Sequence, residues 1–372
     1  MSFCFIKSPN SFRITVLTSS HSLNGKVKIR LENFRIGYRE DNPKEISMVS
    51  GRKDSIKLLP VAIMAHNEEK VIQKAIESVL SQSIPVGYSV KVVVVANGCS
   101  DRTGEIVKHL EKQNPNRVVL VSIKEKGKTR AINEGIRFLD QISNANLSIP
   151  YVIFLDADCA FVGKEALVDF VKQFEQNPQL CAVAANCLPD VFFNSMKGIV
   201  PEIYRAIYSL GRYMKINSIS GMCYGIRFDI LKKIDFPDFQ FAEDMYVSSR
   251  LNGRFIKNSN IKIVFKTPSN LRSELNKKTR QKISTRRYYE YYSYLKKKGV
   301  RVKLFEKSLG DDYRWGAVDD DIIKAWFRLK GIKTKFFAIV YILIGLWAKI
   351  RTYSTLRKIR KNESLDYWKV SR

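Results

Sequence analysis

Two aspartates, Asp156 and Asp158, flank a small residue directly after the apolar run Tyr151-Val152-Ile153-Phe154-Leu155. In an extended chain alternate residues share a face, so both carboxylates can meet one ligand. Oxygen donors of this kind, with open positions between them, suit a hard cation, Mg²⁺ or Mn²⁺, that also binds a diphosphate. Such a cation offsets charge developing on a departing phosphate. Taken alone, the tripeptide is equally an ordinary acidic turn or helix cap. A second acidic pair, Glu243-Asp244, opens a predicted helix that runs to Leu251. Carboxylates are favoured in a first helical turn by the dipole alone, and the same residue type serves as a general base toward an acceptor hydroxyl.

The elements that must position these groups are legible as alternating textures. Ile56–Met64 reads as a buried strand, Glu68–Ser81 as a helix with apolar residues at helical spacing, and Val90–Ala96 as a β-branched strand covered on both faces. Asp101–Lys112 reads as a helix, Val118–Ile123 as a strand, Arg130–Ile142 as a helix and Tyr151–Leu155 as a strand. This alternation predicts an α/β fold with a mostly parallel sheet flanked by helices. Such sheets bind ligands at the carboxyl ends of their strands. There the chain places His66-Asn67-Glu68-Glu69, then Asn97-Gly98-Cys99-Ser100-Asp101, then Lys124 to Lys128, and finally Asp156-Ala157-Asp158.

Gly127-Lys128-Thr129 has the ending of a phosphate-binding loop, but Ser122 stands where the pattern requires glycine, and no GxGxxG follows a strand. Instead, the ordered set His66-Asn67-Glu68-Glu69, Asn97 to Asp101, Lys124-x-x-Gly127-Lys128-x-x-Ala131-x-Asn133-x-Gly135, Asp156-Ala157-Asp158 and Glu243-Asp244 followed by Arg250-Leu251 and Gly253 resembles the family 2 inverting glycosyltransferases with a GT-A fold. The resemblance covers about residues 58–265. It implies a nucleotide-sugar donor, with Asn67 and Glu68 beside the nucleotide and His66 near them. Asn97 and Asp101 would hold the base or ribose, Lys128 would approach the nucleotide, and Asn133 would support that loop. Asp156 would contact ribose and phosphate, and Asp158 with Asp156 would take the metal. Asp244 would be the base, with Glu243 near the sugar or acceptor. The chain departs from the pattern at Ala96-Asn97, where many relatives carry two aspartates. Uridine diphosphate leads the donor candidates, but its base contact is altered. The nearest match to the Gln-x-x-Arg-Trp motif of processive synthases is Thr285-Arg286-Arg287-Tyr288, and the glutamine is missing: Ile283 and Ser284 stand three before the two arginines. The expectation is therefore non-processive transfer to a glycan or lipid-linked acceptor. Ser220-Gly221-Met222-Cys223-Tyr224-Gly225 reads either as a close-backboned wall of the sugar pocket or as a bulged core strand.

Composition bounds the rest. Of 372 residues, 45% are hydrophobic and 27% charged, which excludes wholesale disorder. The formal charge is +28, and 27 basic against 10 acidic residues fall between Arg272 and Arg372, so most of the excess lies away from the acidic site. A strongly basic surface seeks polyanions. Phe336–Ala348 is apolar and flanked by Lys333, Lys335, Lys349 and Arg351. Extended to Ile350 it makes a helix of about 22 Å against a hydrocarbon layer of about 30 Å, short for a span and suited to lying in an anionic membrane surface; a core helix is the alternative. The run Arg286 to Tyr294 with Lys296–Lys298 mixes aromatics and cations, as would a base-stacking surface, an interfacial belt or an amphipathic helix packing its tyrosines inward. The membrane reading is preferred, with no nucleic acid expected as a partner. Residues 1–57 are expected to form a strand-rich extension, 58–270 the catalytic domain and 271–372 a basic helical module with the membrane-associating segment 336–350. The site is placed at the cytoplasmic side of the cell membrane. No signal peptide is read in Met1–Ser20, and the six cysteines are read as mostly buried thiols. Two other readings remain: a nucleotidyltransferase on a related α/β fold, and a non-catalytic basic protein that binds nucleic acid or membrane.

Overall fold

The computed structural model describes residues 4–8, 11–15, 56–144, 147–211, 218–239, 241–298 and 320–362. Near the N-terminus, β1 (Cys4–Ser8) and β2 (Ser11–Thr15) form an antiparallel pair. The alternation expected at Lys26–Leu31, and the linker expected at 39–57 up to residue 55, lie outside the described residues. The body is an eight-stranded sheet built from β3 (Lys57–Ala65), β4 (Tyr88–Asn97), β5 (Val118–Ile123), β6 (Tyr151–Leu155), β7 (Cys159–Phe161), β8 (Ala182–Pro189), β9 (Cys223–Arg227) and β10 (Phe255–Phe265). Its order is β5-β4-β3-β6-β9-β8-β10-β7. The pairs β5/β4, β4/β3, β3/β6 and β8/β10 are parallel; β9 and β7 run against their neighbours.

Both faces of the sheet are buried, which is why its first strands read as continuous apolar runs. Leu59, Val61 and Ile63 point into one core with Val92 and Val94, while Leu58, Ala62, Val93 and Val95 point into the other. The first core is closed by α1 (Ile72–Leu80), α2 (Thr103–Gln113) and α4 (Ala166–Gln176). The second is closed by α3 (Lys128–Asn144), α6 (Phe228–Leu231), α7 (Glu243–Arg250) and part of α8 (Leu271–Lys297). Helix α5 (Ile199–Gly211) precedes β9 in the chain, and α9 (Asp320–Arg328) and α10 (Ile332–Asn362) follow α8.

Three expectations change. Helix α1 begins at Ile72, not Glu68: Asn67 takes φ 57°, and the Glu68 and Glu69 N–H groups are claimed by the Thr103 hydroxyl and the Asp101 carboxylate, so the chain stays in a turn until Val71. The tyrosines of α8 point inward: Tyr288 and Tyr291 are buried, and Tyr291 packs edge-on against Phe239, Phe241 and Tyr246. Finally, the apolar segment is embedded in a 31-residue helix, about 46 Å long and not 22 Å. Its Lys and Arg flanks are good helix formers with no proline among them, so the helix runs through them. One face of α10, with Ala338, Ala348 and Thr352, is buried, and α5 and α8 are the helices it packs on. Phe336, Ile339, Leu343, Leu346, Trp347 and Ile350 are exposed on the other. The 25 residues Ile332–Leu356 are long and apolar enough to cross a membrane by length and composition.

Candidate active site

The ends of β3, β4 and β6 and the start of α7 meet at one edge of the sheet. Strand β4 delivers Asn97, which is 3% exposed and fully committed to the fold. Its side-chain N–H donates to the Ala65 carbonyl (2.8 Å), its side-chain oxygen accepts from Gly127 N–H (3.1 Å), and its carbonyl meets His66 Nδ1 at 2.7 Å. One amide thus ties the end of β3 to the loop before α3. Asp101 is similarly occupied. Its Oδ1 accepts from Thr103 N–H and Oγ1, and its Oδ2 from Glu69 N–H. Burial raises this carboxyl, but those hydrogen bonds outweigh it and hold it below the usual range. Asn67 bonds Ser100 through both ends of its amide. Among the residues expected to hold the nucleotide, then, Asn97 and Asp101 shape the pocket through backbone that they fix.

The charged centre is built differently. Lys128, at the first position of α3, reaches Asp156 Oδ1 and Glu243 Oε1, each at 2.7 Å. Burial opposes its charge, yet the two carboxylates win and hold the ammonium well above its ordinary value. Asp156 is raised, by burial first and by Asp158 and Glu243 further, with Lys128 pulling the other way. Asp244 is pushed up to about 6 by burial and by the adjacent Glu243, against hydrogen bonds from the N–H groups of Met245 (2.8 Å) and Gly221 (3.4 Å). Gly221 leaves room for both carboxylates. A Cβ would come within 3.1 Å of Glu243 Oε1 and 3.3 Å of Asp244 Oδ2. The segment expected as either wall or core strand divides between the two: Gly221 lies against the acidic pair, and Cys223–Gly225 is buried in β9.

Asp158 is exposed at the rim. Together with Asp156 and Glu68 it makes a concentration of negative charge, and Glu68 is raised to about 7 by burial first, then by Asp158, Asp156 and Asp101. Oxygen donors clustered with such mutual repulsion fit a hard divalent cation. Among the described residues no set of three or more His, Cys, Asp or Glu side chains is placed to hold a metal by itself, so Asp156 and Asp158 fit a cation whose remaining positions are filled by a phosphate-bearing ligand.

Three contributions go beyond what was read from the sequence. Tyr224 in β9 buries a hydroxyl that has no hydrogen-bond partner, beside a cavity of about 10 Å³ lined by Lys128, Asp156, Gly221 and Glu243; a site of that size holds at most one water. Helix α3 braces the approach to α7: Thr129 and Asn133 donate to the Phe239 and Phe236 carbonyls, and Arg130 pairs with Asp238. Asn133 thus supports this segment and not the loop at 124–128. Arg280 of α8 lies close enough to lower Glu68. The aromatic and basic residue types were visible, but only the antiparallel placement of β9 and the return of α8 bring them to this edge.

Residues 61–235 match the family model described as glycosyl transferase family 2. That stretch, just under half of the chain, is similar to the family 2 glycosyl transferases. Curated relatives agree in kind. A poly-beta-1,6-N-acetyl-D-glucosamine synthase of Staphylococcus epidermidis is 27% identical over 214 residues, 55% of this chain and 48% of that protein. The protein of the same name in Staphylococcus aureus strain COL is 28% identical over 135 residues, 36% of this chain and 29% of that one. The chain spans about half the length of the first of these relatives. Among solved structures, a mannosyltransferase from Pyrobaculum calidifontis in complex with GDP-Man and Mn2+ aligns with TM-score 0.49 and 17% identity, covering 81% of this chain and 84% of that one.

Proposed function

We propose that the chain is a metal-dependent, inverting, non-processive glycosyltransferase. It moves a sugar from a nucleotide-sugar donor to a glycan or lipid-linked acceptor at the cytoplasmic membrane face. The observation that carries the reading is the bridge from Asp156 through Lys128 to Glu243, with Asp244 beside it. It joins the donor-side carboxylate at the end of β6 to the acidic pair that opens α7. Asp156 and Asp158 would hold the cation, which when bound neutralises charge on the departing diphosphate. Lys128 then adds a fixed positive charge at the same place. Asp244, raised toward the pH at which a base is most effective, accepts the acceptor hydroxyl's proton as that oxygen attacks the anomeric carbon opposite the leaving group. A single displacement inverts the configuration. Membrane association is supported by the exposed apolar stripe of α10 together with its basic flanks, which favour the anionic cytoplasmic leaflet.

The test is thermal stabilisation of the full chain by UDP, GDP, CDP and dTDP, each with and without Mn²⁺, on wild type and Asp158→Asn. One diphosphate at 100 times its Kd should add about 2.7 kcal/mol, only with metal and only in the wild type. No stabilisation by any of them overturns the reading. Product analysis then separates its rivals: release of nucleoside diphosphate marks glycosyl transfer, whereas pyrophosphate marks nucleotidyl transfer. Chain-length analysis of the glycan separates single addition from polymerisation, the activity named for the staphylococcal relatives.

A further inference from the structure

Away from the carboxylates, α8 and α10 wall an open cleft of about 360 Å³. Its lining from α8 is Asn276, Thr279, Arg280, Ile283 and Arg287, spaced so that all fall on one face of the helix; from α10 it is Arg351 and Thr355, one turn apart. Among the described residues no acidic side chain lines it. Arg351 donates to Asn276 Oδ1 at 2.7 Å, which fixes one guanidinium at the mouth, and Arg280 is exposed into the cavity. We propose that this pocket binds a phosphate-bearing ligand, the phosphate of a lipid headgroup or a soluble phosphate, gripped by Arg280 and Arg351.

Three features point the same way. Guanidinium groups present planar forks that match phosphate oxygens two at a time, and hydroxyl and amide groups beside them complete a polar lining. The seam is rich in like charge: Lys282 is held down by burial first and then by Lys278 and Lys349, and Lys277 by burial first and then by Lys278 and Arg280, with Glu274 and Asp158 pulling the other way. An anion would relieve that repulsion. The position also suits substrate, because Arg280 is within electrostatic reach of Glu68, and Lys277 within reach of Asp158. The exposed apolar stripe of α10 belongs to the same helix that supplies Arg351. Taking the ligand to be the acceptor rests on the transferase reading; phosphate binding itself does not.

The experiment is calorimetric titration of the full chain with inorganic pyrophosphate in the presence of EDTA, so that metal-bridged binding at Asp156 and Asp158 contributes nothing. The Arg280→Gln/Arg351→Gln variant should bind at least tenfold more weakly than wild type. Arg351→Lys, which keeps the charge and loses the fork, should fall between them. Lys172→Gln, on the exposed face of α4, should bind as wild type does. Co-sedimentation with phosphatidylcholine vesicles, with and without phosphatidic acid, assigns the source. If the preference for phosphatidic acid falls in the double variant, the ligand is a lipid headgroup; if it persists while pyrophosphate binding falls, the ligand is soluble. Wild type that binds no pyrophosphate, a double variant that binds it unchanged, or a Lys172→Gln loss equal to that of the double variant overturns the pocket. In those cases metal-dependent stabilisation by a nucleoside diphosphate, lost in Asp158→Asn, still reports independently on the transferase reading.

Discussion

Asp244 makes the sharpest predictions at the scale of single residues. Asp244→Asn should leave nucleoside diphosphate stabilisation within about twofold in Kd while turnover falls about 100-fold or more, the range of a lost general base; collapse of donor binding instead would remove Asp244 from that role. Its raised value fixes the sign of two pH effects. With the carboxyl at about 6, Asp244 in its proposed role as base would be protonated below that pH, so the rate should fall as pH falls through 6, read in a profile of kcat/KM. For stability the sign reverses. A carboxyl whose folded value lies above its ordinary 3.8 contributes most when protonated, and that contribution is lost as pH rises from about 4 through 6. Asp244→Asn should therefore be more stable than wild type at pH 7.5, on the order of 1 kcal/mol, in denaturant melts. A variant less stable at neutral pH and no different at pH 4 would contradict that origin.

Elements decide where those residues end up, and here the sequence was unevenly legible. Strands β5 and β6 were bounded correctly and β4 nearly so, because a buried parallel strand leaves an unmistakable β-branched run. The candidate residues at the ends of β3, β4 and β6 followed from that. What could not be read was long-range. Nothing in Cys223–Arg227 announces that it inserts antiparallel between β6 and β8, yet that insertion sets Tyr224 against Phe154 and Gly221 against the acidic pair. Nor does the sequence say that Asn97 and Asp101, whose types suit ligand binding, have their polar atoms taken by backbone and, for Asp101, by the Thr103 hydroxyl as well. The glycines of this region carry a test. Gly225 lets Phe170 and Phe174 lie on β9, and a Cβ there would meet Phe170 at 2.9 Å. Gly225→Ala should cost about 1–3 kcal/mol by overpacking while leaving donor affinity near wild type. Gly221→Ala should do the reverse, losing activity at about 1 kcal/mol or less of stability, since the atoms it meets are those of Glu243 and Asp244.

For the whole molecule, the long C-terminal helix changes how membrane association must be tested. Removing residues 333–372 would strip cover from Ala206 and Leu210 of α5, which pack with Ala325, Leu329 and Ala338. A truncated chain that sediments or aggregates would then report on exposed core and not on lipid. Substitutions confined to the outer stripe avoid this. Phe336→Ser/Leu343→Ser/Trp347→Ser should abolish sedimentation with anionic vesicles, with the thermal midpoint shifted by no more than ~2 °C, because these side chains are exposed in the fold. Undiminished sedimentation would move the attachment elsewhere.

The same packing has a geometric consequence. An anchor joined by a slack linker lets an enzyme swing and sample any orientation above its support. Helix α10 is instead bolted along its inner face to α5 and α8, with Arg351 bonded to Asn276, Lys278 to Tyr341 and Lys333 paired with Glu202. It acts as a keel. With the outer stripe seated on a surface, the attitude of the sheet edge would be set with it, and so would the height of Asp156, Glu243 and Asp244 above that surface.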